Sequence, residues 1–487
     1  MKRLTSVSTL GCVLAGSLAL SACSDDATTP MSPSAPSLSE SSAAGSSLVL
    51  FAERAIPAGF EAQVQALGGS VSYAHAGVGF ATVEGLGAEG IAQIRGISGV
   101  ADVTSDASFT LNLPRSAASS EMGAEISDLA NSVANPATAL RYSWQWNMRA
   151  IGADKAWAAG KLGSPNVTVA ILDTGLDYDI PDLNGLVDLS RSRSFVAGDN
   201  TITSTYFPSR NQISDYNGHG TNVATQVSSK AFAIAGVTSK TTLIGVKVLG
   251  ASGSGSLGGI ISGITWAADK GAHVANMSLG GGFGKSGNGT YVALIQRTMN
   301  YAKQKGMMVV VSAGNDSADM DHDGNFFNTY CGTVHVVCVS ATGPSSATAS
   351  PDEVSNFTNF GRSAITVAAP GGNYRPDFAA SAWPWGNDIA SWVWSYCSKT
   401  RLVLSPTGAV LGYAGCQGGN RLTGNVGTSQ AAPHVAGLAA LLMAEHGTGN
   451  ATQIKHMIVK SANDLGQRGT DPFYGGGRIN VAAALGL

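Results

Sequence analysis

The period of the apolar positions changes along the chain, and each change marks a segment. Behind Lys2 and Arg3, residues Val7 to Leu20 form one apolar stretch too short for a good membrane span. Residues 24–46 are rich in Ser, Ala, Pro and Thr, the composition of a flexible tether. Between residues 47 and 113 the pattern predicts a strand at Leu48 to Phe51, a helix at Phe60 to Leu67 and two strands within Val71 to Val83. A helix at Ala88 to Ile97 and a strand at Val100 to Thr104 complete a βαββαβ order. Residues 114–143 are mostly small and polar and read as an exposed linker open to proteolysis.

From Trp144 onward, continuous apolar runs replace the mixed pattern. They lie at Val167 to Leu172, Leu243 to Leu249, His273 to Met277, Met307 to Ser312, Val334 to Ser340 and Ile365 to Ala369, with helical patterns at Leu257 to Lys270 and Tyr291 to Lys305 between them. Strands without polar alternation are buried on both faces, so residues 144–487 are expected to form an α/β domain whose parallel sheet is covered on both sides. Active sites of such sheets lie at the carboxyl ends of the strands. Residues 372–423, rich in Trp, Tyr, Pro and Gly, interrupt the alternation as an irregular insertion.

Composition agrees with an enzyme of this class: 62 glycines and 44% hydrophobic residues suit many tight strand-to-helix turns. A net charge of −3, from 29 basic and 32 acidic residues spread along the chain, offers no basic patch and argues against nucleic acid as a partner. Leu20-Ser21-Ala22-Cys23 resembles the lipobox of bacterial lipoproteins, which implies removal of residues 1–22, a lipidated Cys23 and attachment to a membrane. Ser24 after that Cys resembles the pattern for outer-membrane sorting in a two-membrane host. The remaining Cys331, Cys338, Cys397 and Cys416 suggest two disulfides in an exported protein, free buried thiols being the alternative. Cys397 and Cys416 are equidistant from the turn Pro406-Thr407, which predicts that they face each other across a hairpin through 401–404 and 409–413. Cys331 and Cys338 then pair by elimination.

Three segments carry candidate chemistry. Asp173 ends the run VTVAIL before a Thr-Gly turn, His219 lies between two glycines in NGHGTNVATQV, and Ser429 opens a long apolar helix in GNVGTSQAAPHVAG. Each alone is ordinary: a turn Asp, a structural His, an N-terminal helix Ser. Together, in the order Asp, His, Ser on elements of one α/β sheet, they match a nucleophile, its base and the group that orients the base. LDTGLD, GHGT, SAGN and GTSQAAPHVAG resemble their counterparts in the subtilisin-like serine proteases over about residues 144–487. That resemblance implies a three-layer αβα fold, and the preceding βαββαβ unit, ferredoxin-like in its order, resembles that family's inhibitory propeptide.

The resemblance implies roles. Ser429 is the expected nucleophile, His219 the general base, Asp173 its orienting carboxylate and Asn315 of SAGN the oxyanion donor. Gly250 to Gly255, with Gly250, Ser252 and Gly253, and the segment Ser278-Leu279-Gly280-Gly281 correspond to paired cleft edges between which an extended peptide adds as a strand. Protein and peptide substrates, broad specificity with pockets favouring apolar or aromatic residues, and a monomer are expected. Asn222 and Thr225 depart from the His and Gly common after GHGT, without touching the triad. The chemistry needs no cofactor, but Asp319, Asp321 and Asp323 before Gly324 form a candidate calcium run, although Tyr330 stands where an EF-hand has its closing Glu. A sedolisin-like acid peptidase, disfavoured by His219 and Asn315, and an inactive surface binding protein are the alternatives. Self-cleavage between about residues 114 and 143 is expected, and it would separate the catalytic domain from the lipid on Cys23 unless the two stay docked.

Overall fold

Residues along each central strand point alternately into two cores, and this is why the strands read as unbroken apolar runs. The computed structural model describes residues 45–114, 120–122, 132–374, 390–405, 408–414, 416, 421–447 and 450–487. Cys23 and the segment expected to direct export lie outside them, as do parts of the expected linker and of the insertion.

Seven strands lie side by side in the order Val367–Pro370, Val336–Thr342, Met308–Ser312, Val274–Met277, Thr168–Asp173, Thr242–Lys247 and Arg193–Ser194. Every neighbouring pair is parallel. In Thr168–Asp173, Val169 and Ile171 enter one core with the helices His219–Val227 and Thr428–His446. Ala170 and Leu172 enter the other with Leu257–Asp269 and Gly289–Gln304. The result is the expected three-layer αβα fold. The six runs read from sequence are the five inner strands and the edge strand Val367–Pro370; the other edge strand, Arg193–Ser194, has only two polar residues and left no apolar signal. After Thr168–Asp173 the sheet grows first to one side and then to the other, so this strand's carboxyl end opens onto the crevice where such sheets hold ligands.

The N-terminal unit has the expected order. Strands Ser46–Phe51, Ser70–His75, Phe80–Glu84 and Val100–Ser105 form an antiparallel sheet, with helices Phe60–Ala66 and Ala88–Arg95 packed on a small core of their own. Its other face contributes Leu48, Leu50, Val78 and Phe80 to the core of the two helices Leu257–Asp269 and Gly289–Gln304. Asp106 accepts from the backbone N–H of Gly258 at 2.8 Å, and Asp102 accepts from the Thr290 hydroxyl, so each helix N-terminus meets a carboxylate.

Both disulfides form as expected, Cys331 with Cys338 and Cys397 with Cys416, with Cα atoms 5.3 and 5.9 Å apart. The hairpin register differs from the symmetric one that predicted the second. Leu402 pairs with Tyr413 and Val403 with Gly412, and an irregularity then brings Leu404 opposite Val410. Relative to the symmetric pairing the ladder is offset by two residues and then, past the irregularity, by one, and the half-cystines lie beyond it. The insertion also braces the His219 helix. Its strand Val393–Tyr396 buries Trp394 and Tyr396, and the Trp394 carbonyl accepts from Gln226 Nε2 at 2.8 Å.

Asp182 carries a structural load the sequence did not announce. Fully buried, it accepts the backbone N–H groups of Phe232, Ala233 and Ile234 at 2.6, 3.1 and 3.1 Å. Asp182→Ala strands these donors and is expected to cost about 3 kcal/mol or more. Thermal unfolding of the variant beside the parent chain should show a Tm lower by several degrees.

Candidate active site

Asp173 is the last residue of its strand and has no solvent exposure. Its Oδ1 accepts from the Thr174 N–H at 2.7 Å and pairs at 2.7 Å with Nδ1 of His219, the first residue of its helix. That approach requires Gly220: a Cβ there would lie 2.2 Å from the Gly175 carbonyl oxygen and 3.2 Å from Asp173 Cβ. The loop before His219 is wound around Asp215, whose carboxylate accepts from the N–H groups of Asn217, Gly218 and Thr221 and from the hydroxyls of Thr174 and Thr221. Sequence reasoning missed this residue, although an acidic side chain just before a Gly turn is a recognisable loop-capping signal.

Burial pulls the His219 pKa down, but the charge and hydrogen bond of Asp173, with the charge of Asp215 behind them, outweigh it and leave the imidazole above its ordinary value. Its Nε2 is buried and has no hydrogen-bond partner. His434, in the same motif as Ser429, is different: burial lowers it to about 4, and it stays neutral between the Gln430 carbonyl and Asn147 Nδ2.

Ser429 is the second residue of the helix Thr428–His446 and is 5% exposed. Its Oγ donates to the Ser278 carbonyl at 3.2 Å. Pro433 sits four residues on, and its missing N–H frees the Ser429 carbonyl, which accepts instead from Ser278 Oγ at 2.7 Å. The serine turn is thereby tied to the end of the neighbouring strand Val274–Met277. Asn222 joins the same assembly: its Oδ1 accepts from Gln430 Nε2 at 3.1 Å and its Nδ2 donates to Ser395 Oγ. The departure at Asn222 thus links the His219 helix, the Ser429 helix and the insertion.

Asn315 follows the strand Met308–Ser312. Its Oδ1 accepts from both the backbone N–H and the hydroxyl of Thr428, at 2.9 and 3.0 Å, which leaves Nδ2 aimed at a carbonyl, that of Asn112 at 2.6 Å. Thr428 is a positioning residue that spacing alone could not single out. The fold thus supplies a hydroxyl, an imidazole backed by a carboxylate, and an amide donor that already holds a carbonyl, the kinds of group that acyl transfer requires.

The first cleft edge is shaped by Gly250, which accepts from Gly253 N–H and donates to the Ser254 carbonyl, both at 2.8 Å, with Ser252 in the turn. Its strand Ser254–Ser256 pairs antiparallel with Ser108–Thr110. In the second, Ser278 holds Ser429 as described, Leu279 is buried in the core, and Gly281 bonds Thr329 through both backbone groups. Gly280 lies between them.

The carboxylates of the candidate calcium run are engaged within the protein. Asp319 is occupied by the Asp321 N–H and His322, Asp321 holds Ser363, and Asp323 accepts from Asn328. The three carboxylates serve separate partners, and no group of three or more acidic, His or Cys side chains suited to a metal occurs among the described residues.

An Asp, His and Ser set with an amide donor, at the carboxyl ends of a parallel αβα sheet, defines a serine hydrolase of the subtilisin architecture. The Subtilase family, peptidase S8, matches residues 164–477, and the chain belongs to that family of serine endopeptidases. It is 31% identical to thermitase of Thermoactinomyces vulgaris over 347 residues, 70% of this chain and 96% of that protein. Subtilisin DY of Bacillus licheniformis is 32% identical over 336 residues, 69% and 96% of the two chains. The epidermin leader peptide processing serine protease of Staphylococcus aureus shares the fold with a TM-score of 0.70 at 21% identity, over 90% of this chain and 97% of that one. Fervidolysin of Fervidobacterium pennivorans shares it with a TM-score of 0.61 at 22% identity, over 91% and 61%.

Proposed function

We propose that the chain is an exported, self-processing serine endopeptidase in which Ser429 attacks the peptide carbonyl and His219 takes its proton. His219 later donates that proton to the leaving amine, and Asp173 holds the imidazole and stabilises its charged form. Asn315 Nδ2 and the Ser429 backbone N–H stabilise the oxyanion. The observation that carries this reading is the Asn112 carbonyl held at the Asn315 amide, beside the residue that precedes Ser429. Ser429 Oγ rests on the Ser278 carbonyl and His219 Nε2 has no partner, so in this reading the hydroxyl leaves Ser278 and engages the base as a substrate seats.

In this reading residues 47–113 are an inhibitory propeptide, supported by its packing over two catalytic-domain helices and by its tail along the first cleft edge. Main-chain pairing at that edge favours broad specificity. The lipobox at Cys23 provides export and a membrane tether, and release of a monomeric catalytic domain follows maturation. Asn315→Ala is expected to lower kcat by on the order of 10²–10³, the size known for this donor in a subtilisin, with KM little changed. Casein hydrolysis by the wild-type precursor, with and without a fluorophosphonate, tests the proposal: turnover that the reagent blocks is expected. A folded chain that neither cleaves casein nor takes up the reagent would favour the surface binding protein instead.

A further inference from the structure

The chain that leaves the N-terminal unit crosses the site. Ser108–Thr110 adds as an antiparallel strand to Ser254–Ser256, and the Leu111 N–H donates to the Gly253 carbonyl at 2.9 Å. Phe109 is buried in the core shared with Leu249 and Leu257. The next carbonyl, that of Asn112, accepts from Asn315 Nδ2 at 2.6 Å. Pro114 then passes close to Gly427, where a Cβ would lie 3.6 Å from Pro114 Cδ. Farther on, Ser120–Met122 pairs antiparallel with Leu422–Gly424, just ahead of the serine turn. Backbone pairing thus holds the chain on both sides of the Ser429 turn, and between the two strands it offers the amide donor the Asn112 carbonyl.

We propose that Asn112–Leu113 is the bond the enzyme cuts in its own chain, and that Asp316 reads the side chain before that bond. The inference rests on the serine peptidase reading above. Ser429 Oγ bonds to the Asn112 carbonyl carbon as its proton passes to His219 Nε2. The C–N bond to Leu113 then breaks, and the proton goes to the new Leu113 amine. Water hydrolyses the ester, leaving Asn112 as a carboxylate and restoring Ser429. The site lies just ahead of the 114–143 linker, because backbone pairing pins the chain to the cleft edge through Leu111 and leaves the Asn112 carbonyl at the amide donor.

Asn112 Nδ2 donates to Asp316 Oδ1 at 2.7 Å, on the residue next to the oxyanion donor. A carboxylate there selects for an amide or another donor, in contrast to the apolar or aromatic preference expected from sequence, and it repels an acidic side chain. Phe109, three residues earlier, is held among apolar side chains instead.

Intact mass and N-terminal sequencing of the earliest fragment released by the full-length wild type test the bond. Leu113 as its first residue is expected. An active, casein-cleaving fragment that first appears with a start elsewhere overturns this inference and leaves the serine peptidase reading intact. A chain that neither shortens nor cleaves casein overturns the peptidase reading itself. Asn112→Asp should slow processing about tenfold or more, and adding Asp316→Asn should recover most of that loss. Equal processing rates in all three proteins overturn the role of Asp316.

Discussion

Ser429→Ala is expected to lower kcat for peptide hydrolysis by on the order of 10⁶, the size known for loss of the nucleophile in a subtilisin, and to leave the precursor full length. No neighbouring side chain can take over. Ser278 Oγ already donates to the Ser429 carbonyl, and the Thr428 hydroxyl is committed to Asn315. Stability should change little, since Ser429 Oγ makes one hydrogen bond, to Ser278, and alanine keeps the helix start. Progress curves at matched protein concentration, with thermal unfolding as the control, check both statements.

Asp173→Asn is expected to cost about 10⁴ in kcat, because an amide at Oδ1 no longer fixes the tautomer that presents Nε2 as a base. The pH dependence carries a sign as well. A general base works when deprotonated, so activity is present above the His219 pKa and lost as pH falls through it. In the wild type the two carboxylates hold that pKa above the ordinary histidine value, and the acid limb of kcat/KM should lie correspondingly high. Opening the cleft reduces burial, the one influence that lowers the pKa, so the direction holds for the mature enzyme. In Asp173→Asn the main raising charge is gone, and the residual activity should persist to lower pH than in the wild type. A pH profile of kcat/KM for both proteins reads this directly.

Much of the fold was legible because its physics is local. Strands buried on two faces show as runs such as 307–312, and the glycine after His219 marks a backbone that must come close to Asp173. The candidate side chains were legible for the same reason: Asp173 ends an apolar run before a Thr-Gly turn, His219 lies between two glycines, and Ser429 opens a long apolar helix. What stayed hidden depends on partners remote in sequence. Asp215 and Thr428 act by holding other residues still, and neither leaves a periodic trace. The acidic run 319–323 resembled a calcium loop in one dimension, but its carboxylates diverge to His322, Ser363 and Asn328. The tail 108–112 read as the end of a small domain, and only the pairing with Ser254–Ser256 shows it lying in the cleft.

The central claim is that this geometry makes Ser429 the nucleophile. The most direct test is to react the processed enzyme with a fluorophosphonate and map the modified residue by peptide mass spectrometry. The account predicts one adduct per active chain, on Ser429, formed in step with the loss of casein hydrolysis, and none in a His219→Ala protein. Hydrolysis that persists while Ser429 is fully modified, or inactivation with the adduct on another residue, would contradict it.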